Sequence, residues 1–267
     1  MSDEEPAGDT PPASEPPVAT PPGEPPDEPP PTEPVKEPPA EPKTAARVAL
    51  LVAGGVALCD LAAVAFAFQP TRSGTELIGT LFVMYALLAT VAIHRVYRRG
   101  RARRYLMPHA GDLAFGALVG VVLYFGAMLA HGILSSRGTP QEAWILRIYL
   151  LLGDPANASP LLGLSVALVA GLEEITWRAL VQKTLEEALS PLLAVVITAV
   201  LFTLAHLPTV FLLGDPTAGP NPLVALAAFG CSLVWGYLTI RTQRLAPAFF
   251  AHIVFSWAIV EFPLWRP

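Results

Sequence analysis

Charge is scarce in this chain, and the common nucleotide and metal fingerprints are missing. Only 15% of the 267 residues are Asp, Glu, Lys or Arg, while 53% are hydrophobic. So little charge argues against a soluble domain, and a mean hydropathy of +0.50 points to a multi-span membrane protein. Cysteine is limited to Cys59 and Cys231. Both sit in apolar runs and read as small buried hydrophobes, which excludes a disulfide framework or a Cys metal site. No Walker loop, GxGxxG or zinc ribbon occurs, so no nucleic-acid or phosphate partner is expected.

The polar residues are unevenly placed. Acidic residues crowd residues 1–43, which hold only two Lys, and without that segment the net charge of −5 becomes positive. The segment is rich in Pro and Glu and almost free of large apolar side chains. It cannot bury enough surface to offset its ordering entropy, so a disordered tail with polyproline II character is expected. It lacks the basic start of a secretory signal and is expected to stay attached.

From Ala45 onward the chain breaks into apolar runs of about 20 residues, the length that crosses a bilayer core. These runs are 45–68, 76–97, 112–134, 160–182, 191–213, 222–241 and 245–262, separated by stretches such as QPTRSG and GDPTAGPNP. Residues 140–152 are shorter, carry charge on one side and read as an interfacial helix. The expected fold is therefore an all-α transmembrane bundle of about seven spans over residues 44–267. Positive charge orients it. HRVYRRGRARR, with Lys36, Lys43, Arg47, Lys183, Arg241 and Arg244, marks the cytoplasmic side, and the amino terminus falls there too. A plasma-membrane (inner-membrane) location is expected.

Charged groups at membrane depth cost several kcal/mol unless paired, which makes GLEEITWRAL the informative stretch. Glu174 and Arg178 stand four apart on one helix face and form an ion pair. Glu173 lies about 100° round the helix and is left outside it. Two further apolar runs carry His206 and His252, with Ser256 one turn after the second. None of the three has a local partner, so convergence of Glu173, His206 and His252 on one polar cavity is expected. Two chemistries use such a set. Glu and His can deprotonate water and reprotonate a leaving amine, with the second His and Ser256 facing an oxyanion. Alternatively, Glu and two His hold a catalytic zinc. The absence of HExxH leans against metal, and no cofactor is expected.

EExxxR at Glu173–Arg178, FxxxH at Phe202–His206 and the late His252 resemble, in this order, the CPBP family. That family comprises the CAAX-processing Rce1-type proteases and their bacterial Abi or self-immunity relatives. The resemblance covers roughly residues 160–257 and implies an intramembrane endopeptidase of the glutamate type. It implies Glu173 as the general base, with His206 assisting it or the water. It further implies His252 and the residue four later at the oxyanion, with Glu174 and Arg178 in support. That later residue is commonly Asn in the family and is Ser256 here, a shorter side chain with one hydrogen to donate.

The expected function is hydrolysis of a peptide bond in a membrane-embedded or membrane-proximal protein, or in a lipidated peptide. The rivals are a non-catalytic regulator or immunity scaffold of the same fold and a proton-coupled transporter; no inverted repeat supports the transporter. Asp60, deep in the first run, needs a partner within the bundle, and His131 is expected at an interface. Along their runs, His206 lies about 22 Å and His252 about 10 Å from the cytoplasmic ends. That mismatch predicts a fourth span ending near Arg178, followed by an amphipathic connector over residues 179–195.

Overall fold

The computed structural model describes residues 42–100, 102–153 and 160–264. The tail expected over 1–43 lies outside them, apart from its last two residues. Among the described residues the regular structure is helical, save for one bridge between Asp215 and Gly219. The helices are α1 Pro42–Ala67, α2 Gly74–Arg98, α3 Ala102–Leu106, α4 Asp112–Leu134, α5 Glu142–Leu152 and α6 Pro160–Glu174. A π-helical stretch, Ile175–Gln182, leads into α7 Lys183–Leu185. Then come α8 Pro191–Ala205, α9 Leu207–Leu212, α10 Leu223–Thr242 and α11 Ala246–Glu261.

The protein is an all-α membrane protein. Five helical segments are long and apolar enough to cross a bilayer: Thr44–Ala67, Gly74–Arg98, Asp112–Leu134, Pro191–Leu212 and Leu223–Thr242. The other two expected spans differ. α11 is apolar but only 16 residues long, and the run from Pro160 changes helical type at the charged triplet. Leu51, Leu58, Leu87, Leu118, Phe125 and Leu129 face outward on α1, α2 and α4. A soluble protein would not expose so much apolar surface; in a bilayer these side chains meet acyl chains.

The inward stripes are built from small residues. On α1, Ala49, Ala53, Val56, Ala57, Asp60 and Val64 recur at helical spacing and are buried. Cys231 is buried as expected, but Cys59 is exposed, because it stands one position off this stripe. At one end of the bundle Arg95 and Arg99 both reach Glu187, and Arg244 pairs with Asp112 at 2.7 Å. At the other end Asn221 donates to the Trp144 carbonyl, and the Tyr149 hydroxyl donates to the Ile259 carbonyl.

Two corrections concern the segments around the charged triplet. The fourth span does not stop near Arg178. Ala179, Leu180, Val181, Gln182, Thr184 and Leu185 are all buried, and α8 begins at Pro191. Residues 179–185 are thus interior helix, 186–190 a partly exposed turn and 191–195 the start of the next span, not one amphipathic connector. The fifth run stands as a candidate span over Pro191–Leu212, but its helix is interrupted at His206, where α8 ends, and Pro208 lies in the first turn of α9.

α4 and α11 approach closely because Gly116 and Gly120 place backbone against backbone. A Cβ at Gly116 would lie 2.6 Å from the Pro247 carbonyl oxygen, and one at Gly120 2.7 Å from that of Ala251. This small-xxx-small spacing is a membrane-helix packing motif. Gly126, on the same helix, has nothing within 4 Å of such a Cβ. Gly120→Ala is therefore expected to destabilise the protein by about 1–3 kcal/mol. Gly126→Ala should be neutral or gain up to about 1 kcal/mol from helix propensity. Unfolding of both variants in detergent tests this, and equal effects would remove the packing argument.

Candidate active site

Glu173 and Glu174 close α6, and the π-helical residues follow from Ile175. The side chains here divide by helix face. Glu173 and Trp177, four apart, look toward α1 and α2. Glu174 and Arg178, also four apart, look toward α10 and α11. All four are buried, with Glu174 1% and Arg178 0% exposed, so the charges do not snorkel to a surface. π-helical turns of this kind are rare and frequently occur at functional sites.

On the second face, Arg178 Nε donates to Glu174 Oε1 at 2.7 Å. The guanidinium also reaches Ser232 Oγ on α10 at 2.9 Å and Gln182 Oε1 at 3.4 Å. Glu174 Oε2 lies 3.1 Å from His252 Nδ1. A carboxylate paired with arginine accepts, so Nδ1 carries a hydrogen. Trp235 of α10 stacks on the His252 ring, with centroids 3.7 Å apart and planes at 22°. His252 is thus held on two sides, and its Nε2 is aimed at Glu173 Oε2, 3.5 Å away.

His206 reaches the same carboxylate from the break between α8 and α9. Its Nδ1 lies 2.9 Å from the Phe202 carbonyl oxygen, one turn back. A carbonyl only accepts, so Nδ1 carries the hydrogen and, in the neutral ring, Nε2 keeps its lone pair. That Nε2 lies 3.8 Å from Glu173 Oε1. The two imidazole contacts are longer than direct hydrogen bonds and of a length that a water can bridge. The Glu173 and His206 side chains each keep 12% exposure, so solvent has a way in.

The first face meets residues far away in sequence. The Tyr85 hydroxyl on α2 lies 2.5 Å from Glu173 Oε1 and 2.7 Å from Asp60 Oδ1 on α1. Trp177 Nε1 donates to Asp60 Oδ2 at 3.2 Å. Asp60 therefore has its partner within the bundle, and that partner leads straight to Glu173.

The expected set is distributed as follows. Glu173, His206 and His252 come together, with Glu174 and Arg178 beneath His252. Ser256 stands half-buried one turn past His252 and takes part in no hydrogen bond among the described residues. His131 ends α4 with its Nδ1 2.7 Å from Ser135 Oγ, outside this group. Sequence reasoning missed Tyr85, Ser232 and Trp235, which belong to no motif. Among the described residues no three His, Cys, Asp or Glu side chains are grouped to hold a metal ion.

The α8 and α11 starts differ in their distance from the site. By helical rise, α8 begins about 22 Å before His206 and α11 only about 9 Å before His252. The unequal depths along the two runs are thus compatible with one meeting point, because the two helices do not start level.

The family model described as type II CAAX prenyl endopeptidase Rce1-like matches residues 155–258. No curated protein and no solved structure matches the chain.

Proposed function

Residues 155–258, which supply Glu173, His206 and His252, are of the Rce1-like family, and on that premise we propose that the protein is an intramembrane endopeptidase. The observation that carries the reading is the meeting of one carboxylate with two imidazoles inside an apolar bundle, while the adjacent Glu174 is occupied by Arg178. Its substrate is a membrane-embedded or membrane-proximal protein, or a lipidated peptide. The basic end of the bundle, with Arg95, Arg99 and Arg244, faces the cytoplasm by the positive-inside rule.

In this mechanism Glu173 takes a proton from water while the water oxygen bonds to the scissile carbonyl carbon. The His206 Nε2 lone pair accepts the other water hydrogen and orients the nucleophile. The carbonyl oxygen becomes an oxyanion. His252, protonated on both nitrogens between Glu174 and Glu173, donates to it from Nε2. Ser256 has its hydroxyl uncommitted and supplies a second donor. As the C–N bond breaks, the proton held by Glu173 passes to the leaving nitrogen.

Comparison of membrane proteomes from wild type and Glu173→Gln tests the reading. A membrane protein should lose its cleaved form in the variant. A variant that complements a deletion fully would instead favour a scaffold, and solute flux through proteoliposomes would favour a transporter. Water activated by Glu173 needs no Lewis acid. Cleavage is therefore expected to survive chelator, in a protein that carries no stoichiometric zinc by elemental analysis. Loss of activity in chelator with recovery on zinc addition would assign the Glu and two His to a metal instead.

A further inference from the structure

Behind Glu173 lies a chain of polar groups that the mechanism above does not use. Asp60, Tyr85 and Trp177 are fully buried or nearly so, and Asp60 and Tyr85 lie on helices outside the family match. The chain runs from the Trp177 indole to Asp60, from Asp60 to the Tyr85 hydroxyl, and from that hydroxyl to Glu173.

The hydrogens in this chain can be counted. The two oxygen–oxygen contacts of Tyr85, 2.7 Å and 2.5 Å, each need one hydrogen between them. A phenol carries one. The second must come from a carboxyl group, so Asp60 and Glu173 are not both ionised while both contacts persist.

The surroundings decide which carboxyl is neutral. Glu173 lies within 4 Å of two imidazoles, His206 and His252. Asp60 has no Lys, Arg or His within ion-pair distance among the described residues; it meets only an indole and a phenol. A charge on Asp60 would be buried with no counterion in direct contact, whereas a charge on Glu173 has two imidazoles within 4 Å able to balance it. The Trp177 contact fits a neutral acid: Oδ2 is then the carbonyl oxygen that accepts the indole N–H, and Oδ1 carries the hydrogen.

We propose that Asp60 is a neutral carboxylic acid that donates to Tyr85, whose hydroxyl donates to Glu173. This one-way hydrogen-bond chain holds Glu173 in its charged, proton-accepting form. Asp60 and Tyr85 are thus positioning residues, a role that rests on the endopeptidase reading; the protonation of Asp60 does not.

Infrared spectroscopy of the full chain in lipid vesicles reads the proton directly. Wild type should show the carbonyl band of a protonated, hydrogen-bonded carboxyl, shifted in deuterium oxide. Asp60→Asn should remove that band and Glu173→Gln should keep it. In Tyr85→Phe it should move to higher frequency, because the acid loses its acceptor. A band lost in Glu173→Gln and kept in Asp60→Asn, or no such band at all, overturns the proposal.

Turnover of a fluorogenic transmembrane peptide in the same vesicles reads the consequence. Tyr85→Phe removes a hydrogen bond to a charged group and should lower kcat about 10- to 100-fold with KM unchanged. Asp60→Ala should lower kcat similarly. Asp60→Asn should recover most of it, since its amide can donate to Tyr85 while its carbonyl accepts from Trp177. Equal loss in the Ala and Asn variants would overturn the one-way chain. A wild type no faster than Glu173→Gln would overturn proteolysis, and the infrared band would then decide the position of the proton alone.

Discussion

Glu173→Gln is expected to lower the rate of substrate cleavage by about 10²- to 10⁴-fold, the range of a positioned general base. The amide has nearly the shape of the carboxyl, and its oxygen can still accept from the Tyr85 hydroxyl. What it loses is the ability to take a proton from water. Substrate binding and unfolding in detergent should therefore stay close to wild type. The measurement is single-turnover cleavage in proteoliposomes, beside an unfolding curve for each protein. Wild-type turnover by a folded Glu173→Gln protein would remove Glu173 from the base role.

Arg178→Met is expected to cost about 3–5 kcal/mol, because it leaves the Glu174 charge buried without its main partner. It also frees Ser232 Oγ and Gln182 Oε1 from their contacts with the guanidinium. The paired variant Glu174→Gln/Arg178→Met removes the stranded charge and should recover a large part of that loss. Its activity should remain low, since His252 Nδ1 then faces an amide in place of a carboxylate. Unfolding and cleavage measured on the single and paired variants separate the two roles. Equal stability of the single and paired proteins would argue against a buried charge at Glu174.

Five of the seven expected spans and the three motifs were legible because both write local patterns into the chain. Apolar runs separated by Pro and Gly mark the helices, and spacing by four sets Glu174 beside Arg178. The ion pair at 2.7 Å is that spacing realised. Residues whose role depends on a neighbouring helix left no such mark. Tyr85 reads as one aromatic in an apolar run, and Asp60 as a lone carboxyl in need of any partner. Their meeting with Glu173 depends on how far α1 and α2 slide and rotate against α6, which no single helix encodes. The π-helical turn and the break at His206 were hidden for a related reason. Each adjusts the register of a span to suit packing, and hydropathy over 20 residues averages such adjustments away.

α11 carries His252, and its shortness bears on how the bilayer meets the protein. Sixteen residues rise about 24 Å, against a hydrocarbon thickness of about 30 Å. In a bilayer a shortfall of that size is met by local thinning of the lipid, by snorkelling of flanking residues or by oligomerisation, at fractions of a kcal/mol per ångström. Thinning would draw the acyl chains beside α11 toward the midplane and the headgroup region with them. On the endopeptidase reading, that dip leaves water and a substrate's polar backbone less hydrocarbon to cross on the way to Glu173.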